Sequence, residues 1–193
     1  MSDRETQERW DSRYRDAGGP HAPARVLLDN AHLLPRQGTA LDLACGLGGN
    51  SLFLAGHGLQ TYAWDISPVA VEKLNALARR QGLPVVAEVK DALRDPLPAA
   101  RFDVVVVAHY LERALTGDII RALKPGGLLF YQTFTRAAVT DAGPQKDEWR
   151  LAGGELLTMF APLRPLVYRE EGRIGDVSQG FRDKALLVAL KEE

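Results

Sequence analysis

Leu41-Asp42-Leu43-Ala44-Cys45-Gly46-Leu47-Gly48-Gly49-Asn50 is the stretch on which the fold turns. An apolar run from Thr39 to Ala44 reads as a buried strand, and the small and apolar spacing of Gly49–Gly58 reads as a helix. Between them, glycines let the backbone turn sharply and approach a ligand where a side chain would collide. The helix start adds N–H groups with no partner inside the helix. Asp42 lies near the end of the strand, where a carboxylate is costly unless something pairs with it. The same residues also suit a plain strand-to-helix turn whose glycines serve geometry alone. The spacing G-x-G-x-x-G fails, because position 51 is Ser51.

Working outward, short apolar runs alternate with helical patterns. Asp3–Arg15 is a charged helix with Trp10 and Tyr14 on one face. Pro20 and Pro23 break the chain, and Ala24–Leu34 is a short helix ended by Pro35. Gln60–Trp64 is a second strand. Ser67-Pro68 opens a helix that runs to about Gln81, with serine as N-cap and proline at the first helical position. Pro84–Val89 is a third strand. Phe102–Ala108 holds Val104-Val105-Val106-Val107, the run expected of a strand buried on both faces of a parallel sheet. Glu112–Leu123 is helical, Lys124-Pro125-Gly126-Gly127 forces a turn, and Leu128–Phe134 is the fifth strand. The order calls for a parallel sheet with right-handed crossovers. The end differs, with a helix near Gly154–Phe160 and strands at Leu166–Glu171 and Ala185–Lys191 that have no helix between them. Such a pair should run antiparallel.

The 193 residues fit one domain, 1–193, with 1–35 as a helical lid. A formal net charge of -1 argues against a dedicated nucleic-acid binder. The one cysteine, Cys45, excludes an internal disulfide framework and fits a reducing compartment. No stretch has the length and apolarity of a membrane span, and the charged start is unlike a signal peptide, so the expected place is the cytoplasm. His21, His32 and His57 lack metal-ligand spacing, and no metal is expected.

Two more acids follow strands. Asp65 ends the second strand, 19 residues after Gly46, where a carboxylate can accept ribose hydroxyls in nucleotide-binding sheets; the plainer reading is a surface aspartate that helps cap the Ser67 helix. Asp91 follows the third strand, beside Ala92, where either residue can meet an adenine edge; the plainer reading is a turn aspartate.

Taken together, Asp42-x-Ala44-x-Gly46-x-Gly48, Asp65, Asp91-Ala92, Phe102-Asp103-Val104-Val105 and Leu123-Lys124-Pro125-Gly126-Gly127 resemble the successive motifs of class I methyltransferases that use S-adenosylmethionine (SAM). The Lys-Pro-Gly-Gly turn is the most specific of them. Glu8-Arg9-Trp10-Asp11-Ser12-Arg13-Tyr14, with Ala63-Trp64-Asp65, is similar to the tellurite-resistance (TehB-like) and thiol methyltransferases. The resemblance implies a Rossmann-like, seven-stranded, mostly parallel α/β sheet with a C-terminal antiparallel hairpin and helices on both faces. It also implies SAM as cofactor. Gly46 and Gly48 would lie by its methionine part, with Ala44 and Asn50 in the same loop and Asp42 near the amino group. Asp65 would hold the ribose, Ile66 would pack on adenine, and Asp91 with Ala92 would meet the adenine edge. The family often carries glycine at the place of Ala44.

Methyl transfer from a sulfonium is an in-line displacement, in which the protein supplies position and dryness. His109 and Tyr110 follow the fourth strand directly and are the candidate catalytic residues; His109 also touches the cofactor side and is a possible base. Trp10, Arg13 and Tyr14 suit a lid. Arg136, Arg150, Arg173 and Arg182 lie on loops expected at the same face, where an anionic acceptor would meet them. The expected acceptor is a small molecule such as a thiol, a chalcogen oxyanion or a related metabolite. The alternatives are a SAM-binding protein without catalysis and, on a similar sheet, an NAD(P)-dependent oxidoreductase. A DNA-base enzyme is disfavoured, since Ala108-His109-Tyr110-Leu111 lacks the Asn/Asp-Pro-Pro-aromatic element that holds a flipped base.

Overall fold

A computed structural model describes residues 3–192 of the chain. Residues 1, 2 and 193, the ends of the expected 1–193 domain, lie outside the described residues. The first strand, β1 (Thr39–Leu43), is followed by β2 (Gln60–Asp65), β3 (Val85–Val89), β4 (Phe102–Ala108), β5 (Leu123–Phe134), β6 (Arg164–Glu170) and β7 (Lys184–Leu190). They form one seven-stranded sheet in the order β3-β2-β1-β4-β5-β7-β6. Neighbours from β3 to β5 pair parallel, whereas β7 runs antiparallel to both β5 and β6. The strand order reverses beside β1, and in open sheets of this kind ligands bind past the carboxyl ends of the strands at such a point.

The helices are α1 (Asp3–Arg15), α2 (Arg25–Leu28), α3 (Gly49–Gly56), α4 (Pro68–Gln81), α5 (Thr116–Ala122) and α6 (Glu155–Met159). Side chains alternate across β4 and divide the core into two layers. Val104 and Val106 pack with Ala40, Leu54, Phe130 and Val188. Val105 and Val107 pack with Leu41, Leu43, Ile119, Tyr131 and Leu156 on the other face. Ser67 caps α4 by accepting from the Ala70 N–H at 3.2 Å, with Pro68 in the first turn and Gly82 closing the helix in a left-handed conformation.

Several boundaries move for identifiable reasons. The helix expected over Ala24–Leu34 stops at Leu28, because the Asn30 side chain donates to the Val26 carbonyl and takes an acceptor the next turn needs. Strand β1 ends at Leu43 rather than Ala44. Ala44 has φ +56, a left-handed conformation that no strand continues. Its methyl group therefore stands in a strained turn, which is why glycine suits the position. The expected helix Glu112–Leu123 begins as a 3-10 turn, Arg113–Leu115, before α5.

Lys124-Pro125-Gly126-Gly127 does not separate a helix from a strand but lies within β5. Leu123 pairs with Phe102 and Leu128 with Val104, so the motif is a bulge in the ladder. Its far side is held by the Gly126 N–H on the Lys191 carbonyl (2.8 Å) and the Lys191 N–H on the Gly127 carbonyl (2.9 Å). Lys124 Nζ reaches Asp103 at 2.7 Å, which with the Thr39 amide and hydroxyl keeps that carboxyl below its ordinary range.

Candidate functional site

Asp42 alternates with Leu41 and Leu43, so its side chain faces α3, where Ser51 Oγ donates to Oδ2 at 2.6 Å. Its carboxylate is fully buried, and Oδ1 has no hydrogen-bond partner among the described residues. Burial pushes its pKa up to about 7, against the pull of Ser51, of the Asn50 amide nearby and of the Ser51 N–H. An orphaned buried oxygen of this kind suits a cationic ligand group. Asn50 itself accepts from the Ala24 N–H at 2.9 Å, tying the segment before α2 to the start of α3.

Gly46 (φ +52) and Gly48 (φ +82) carry the loop over the strand ends. A Cβ on Gly48 would stand 2.2 Å from Leu74 of α4, so only glycine lets the loop seat there. Asp65 closes the loop from the side. Its Oδ2 accepts from the Gly46 N–H at 2.7 Å and its Oδ1 from the Ser67 N–H at 2.9 Å. Burial raises its pKa and these amides oppose the rise. The Gly46 and Ser67 amides take one site on each oxygen and the Ile66 N–H also acts on the group, and the carboxylate retains acceptor capacity toward the rim. Ile66 follows it, partly exposed. Asp91 accepts from the Leu93 N–H at 3.0 Å and approaches Arg94 at 3.6 Å, while Asp95 caps the Asp91 N–H at 2.8 Å. Ala92 packs against the main core.

The acids share one rim. The charges of Asp65 and Asp91 both act on Tyr110, whose hydroxyl pKa is raised first by burial and then by Glu112 and these two. Those of Asp65 and Asp42 act on Tyr14, also raised chiefly by burial. Helix α1 lies across this rim. Tyr14 sets its hydroxyl over Gly46, 2.9 Å from where a Cβ would be, and stacks on Trp10 with centroids 5.5 Å apart. Arg13 lies over Trp10 at 5.3 Å. Asp11 takes a short hydrogen bond from Ser67, and Lys73 of α4 holds the carbonyls of Tyr14 (2.6 Å), Arg15 (2.9 Å) and Ala17 (3.2 Å).

His109, just past β4, has φ +59, an unusual conformation for a non-glycine residue and the kind of strain that collects at functional sites. Gln132 of β5 fixes its tautomer. The Val26 N–H donates to Gln132 Oε1 at 2.9 Å, so the amide turns Nε2 toward His109 Nε2, 3.3 Å away. That imidazole nitrogen is the acceptor, and the neutral ring carries its proton on Nδ1. Although His109 retains solvent exposure, burial of the ring and then the charges of Lys184 and His21 pull its pKa down to about 4. At neutral pH it is a hydrogen-bond donor through Nδ1. Tyr110 offers its carbonyl to the Tyr131 hydroxyl at 3.0 Å.

The loop arginines are engaged locally. Arg150 is buried and donates to the carbonyls of Pro144, Thr135 and Ala142. Arg182 donates to Gln179, Gly172, Ile174 and Asp176. Both hold loops in shape. Arg136 and Arg173 each give one Nε bond, to Asp147 at 3.2 Å and to Ala138 at 2.7 Å. Sequence reading missed Ser51, Gln132 and Lys184. Ser51 had a local signal, a hydroxyl in the first turn after a buried acid, whereas the other two depend on strand pairing.

Residues 40–127 match the family model described as "Methyltransferase domain". The chain is 30% identical over 189 residues to a ubiquinone biosynthesis O-methyltransferase of Xanthomonas axonopodis pv. citri, covering 91% of this chain and 76% of the relative. It is 36% identical over 114 residues to a probable chloroplastic tocopherol O-methyltransferase of Oryza sativa subsp. japonica, which covers 55% of this chain but only 31% of that longer protein. The solved structure of TehB from Haemophilus influenzae has the same fold, with a TM-score of 0.69 at 21% identity, covering 96% of this chain and 67% of that one. Among the described residues, no helix is long and apolar enough to cross a membrane. With this sheet, this strand order and these relatives, the chain belongs to the class I SAM-dependent methyltransferases.

Proposed function

We propose that this protein transfers the methyl group of SAM to a small-molecule acceptor at the carboxyl rim of the sheet. One observation carries the reading. Asp65, bound to the amides of Gly46 and Ser67, stands beside a left-handed glycine loop and a buried Asp42 oxygen that lacks a partner among the described residues. Bound SAM supplies a sulfonium-activated methyl group. Asp65 accepts from the ribose hydroxyls, and the unpaired Asp42 oxygen compensates the amino group. Gly46 and Gly48 let the backbone approach, with Ala44 and Asn50 shaping the same loop. Ile66 covers the adenine face, while Asp91 and Ala92 meet its edge. Within the lid expected over residues 1–35, α1 carries the part, with Tyr14 and Trp10 excluding water and Arg13 rigidifying their face, whereas Ala24, Val26 and Leu27 are buried in the core. His109 and Tyr110 line the acceptor side; His109 positions the acceptor through Nδ1–H and Tyr110 walls off the space. Arg136 and Arg173, with terminal guanidinium nitrogens to spare, suit an anionic tail, whereas Arg150 and Arg182 support the loops around it.

An acceptor with an ionised oxygen or sulfur fits this setting, as in acidic hydroxyls, thiols or chalcogen oxyanions. A small molecule suits the near-neutral charge better than a nucleic acid, and the single buried thiol of Cys45 suits the cytoplasm. Calorimetry with SAM, S-adenosylhomocysteine (SAH) and NADH tests the cofactor, and labelled-methyl transfer to pooled small molecules tests turnover. Binding of NADH without SAM would remove the reading. Tight SAM binding with no turnover on any pool, cell extract included, would leave a cofactor-binding protein without catalysis.

A further inference from the structure

Strand β7 returns antiparallel along β5, so its first residue, Lys184, pairs with the last of β5, Phe134. That register brings a lysine to the rim where His109 follows the end of β4. Lys184 Nζ sits 5.0 Å from the Phe134 ring centroid, and the His109 ring sits 5.5 Å from the same ring. Lys73 and Lys191 bond backbone carbonyls, and Lys90, Lys124 and Lys146 approach carboxylates. Lys184 alone among them has only an aromatic face, with no oxygen in bonding range among the described residues. Its sequence neighbour Asp183 acts on it through charge alone, without a bond among the described residues. That carboxylate accepts from the Val139 and Thr140 amides and the Thr140 hydroxyl, at 2.6, 3.0 and 2.6 Å. Burial lowers the Lys184 pKa, as for an ammonium short of partners.

Among the described residues, four titratable groups of this rim are committed elsewhere and are not placed to remove a proton from an acceptor beside Lys184. His109 Nε2 already accepts from Gln132, and Asp183 is held by three donors. Asp65 faces the amides of Gly46 and Ser67, and Asp42 lies fully buried toward α3. The cations around the spot are Lys184 itself and Arg150, whose guanidinium is 5.7 Å from the Phe134 centroid, and the one carboxylate acting on Lys184, Asp183, is already held by three donors.

We propose that Lys184, with Phe134 and His109 beside it, is the anchor of the acceptor subsite and selects an acceptor that reacts as an oxyanion, an ionised phenol, enol or carboxylic acid. The proposal rests on the methyltransferase reading above and specifies its substrate class. The acceptor arrives ionised, held by the Lys184 ammonium and the His109 Nδ1–H. Its oxygen lone pair forms the new O–C bond to the methyl carbon as the S–C bond breaks, and that bonding pair stays on sulfur. The anion and the sulfonium both become neutral, so no proton moves and no base is needed.

The test uses the full chain saturated with SAH and para-nitrophenol as the probe, because its ionised and neutral forms absorb differently. The bound probe should ionise at a pH about one unit lower than the free probe, an ordinary effect of one adjacent cation. Lys184→Met should abolish the shift and bind the phenolate about tenfold more weakly, Lys184→Arg should restore most of both, and SAH affinity by calorimetry should stay unchanged in each. The proposal is overturned if SAH binds normally but Lys184→Met matches the native chain toward the probe, or if the native chain takes up no phenolate. Failure of the native chain to bind SAH is a separate result, which removes the methyltransferase reading and this proposal with it.

Discussion

Replacing Asp42 with asparagine separates what the carboxylate costs the fold from what it does for the cofactor. The folded pKa is about 7 where the ordinary value is 3.8, because the group is fully buried with one orphaned oxygen. At ~1.4 kcal/mol per unit, ionised Asp42 weighs on the folded state by roughly 4 kcal/mol. The sign follows from the raised pKa. Below about pH 4 the carboxyl is neutral folded and unfolded, and its full contribution is present. Stability is then lost as the pH climbs toward 7, and the loss is complete above it. Asparagine keeps the shape and accepts from Ser51, but it places an amide N–H where Oδ1 had no partner, at a cost of about 1–3 kcal/mol. The cofactor-free variant should therefore be about 1–3 kcal/mol more stable than the native chain at pH 8 and near equal at pH 5. SAM binding at pH 8 should weaken by about tenfold. Urea unfolding at the two pH values reads the first effect as a difference between proteins, so other titrating groups cancel, and calorimetry reads the second. Equal stability of the two proteins at pH 8, or parallel pH profiles, would refute the reasoning.

Three further outcomes are expected. Ala44→Gly should stabilise the chain by about 1 kcal/mol in the same unfolding assay, since it relieves a left-handed alanine at φ +56; a loss of stability would mean the turn is not strained. Asp65→Ala should weaken SAM binding by roughly 1.5–3 kcal/mol, because it removes a charged acceptor for the ribose, and calorimetry would show unchanged affinity if the ribose lies elsewhere. Lys73→Met frees the carbonyls at the end of α1, so amide exchange across Asp3–Arg15 should quicken and SAM should enter and leave faster; exchange equal to the native chain would show that Lys73 does not hold the lid.

The sheet was readable because its signals are local. The valine run of β4, Ser67-Pro68 at the head of α4 and the helix-free stretch before β7 each point to one structure without knowledge of distant residues. The glycine loop after β1 was readable as a turn for the same reason, as glycines and acids mark strand ends. What was misread depends on conformation or pairing. Ala44 looks like a strand residue by hydropathy, yet its φ is set by the turn it begins. Lys-Pro-Gly-Gly looks like a chain break, yet pairing on both sides makes it a bulge in β5. The arginines look like a substrate clamp, yet Arg150 and Arg182 satisfy carbonyls of irregular loops, a demand that no sequence pattern announces. Lys184 meets Phe134 only through an antiparallel register, and His109 owes its tautomer to Gln132 and, behind it, to the Val26 amide.

A crystal structure of the protein with SAH bears most directly on how the cofactor is held. It should show both ribose hydroxyls within hydrogen-bonding distance of the Asp65 carboxylate, the amino group near Asp42 and the sulfur facing His109. A ribose seated on any other residue, or SAH bound away from the Gly46–Gly48 loop, would contradict the account.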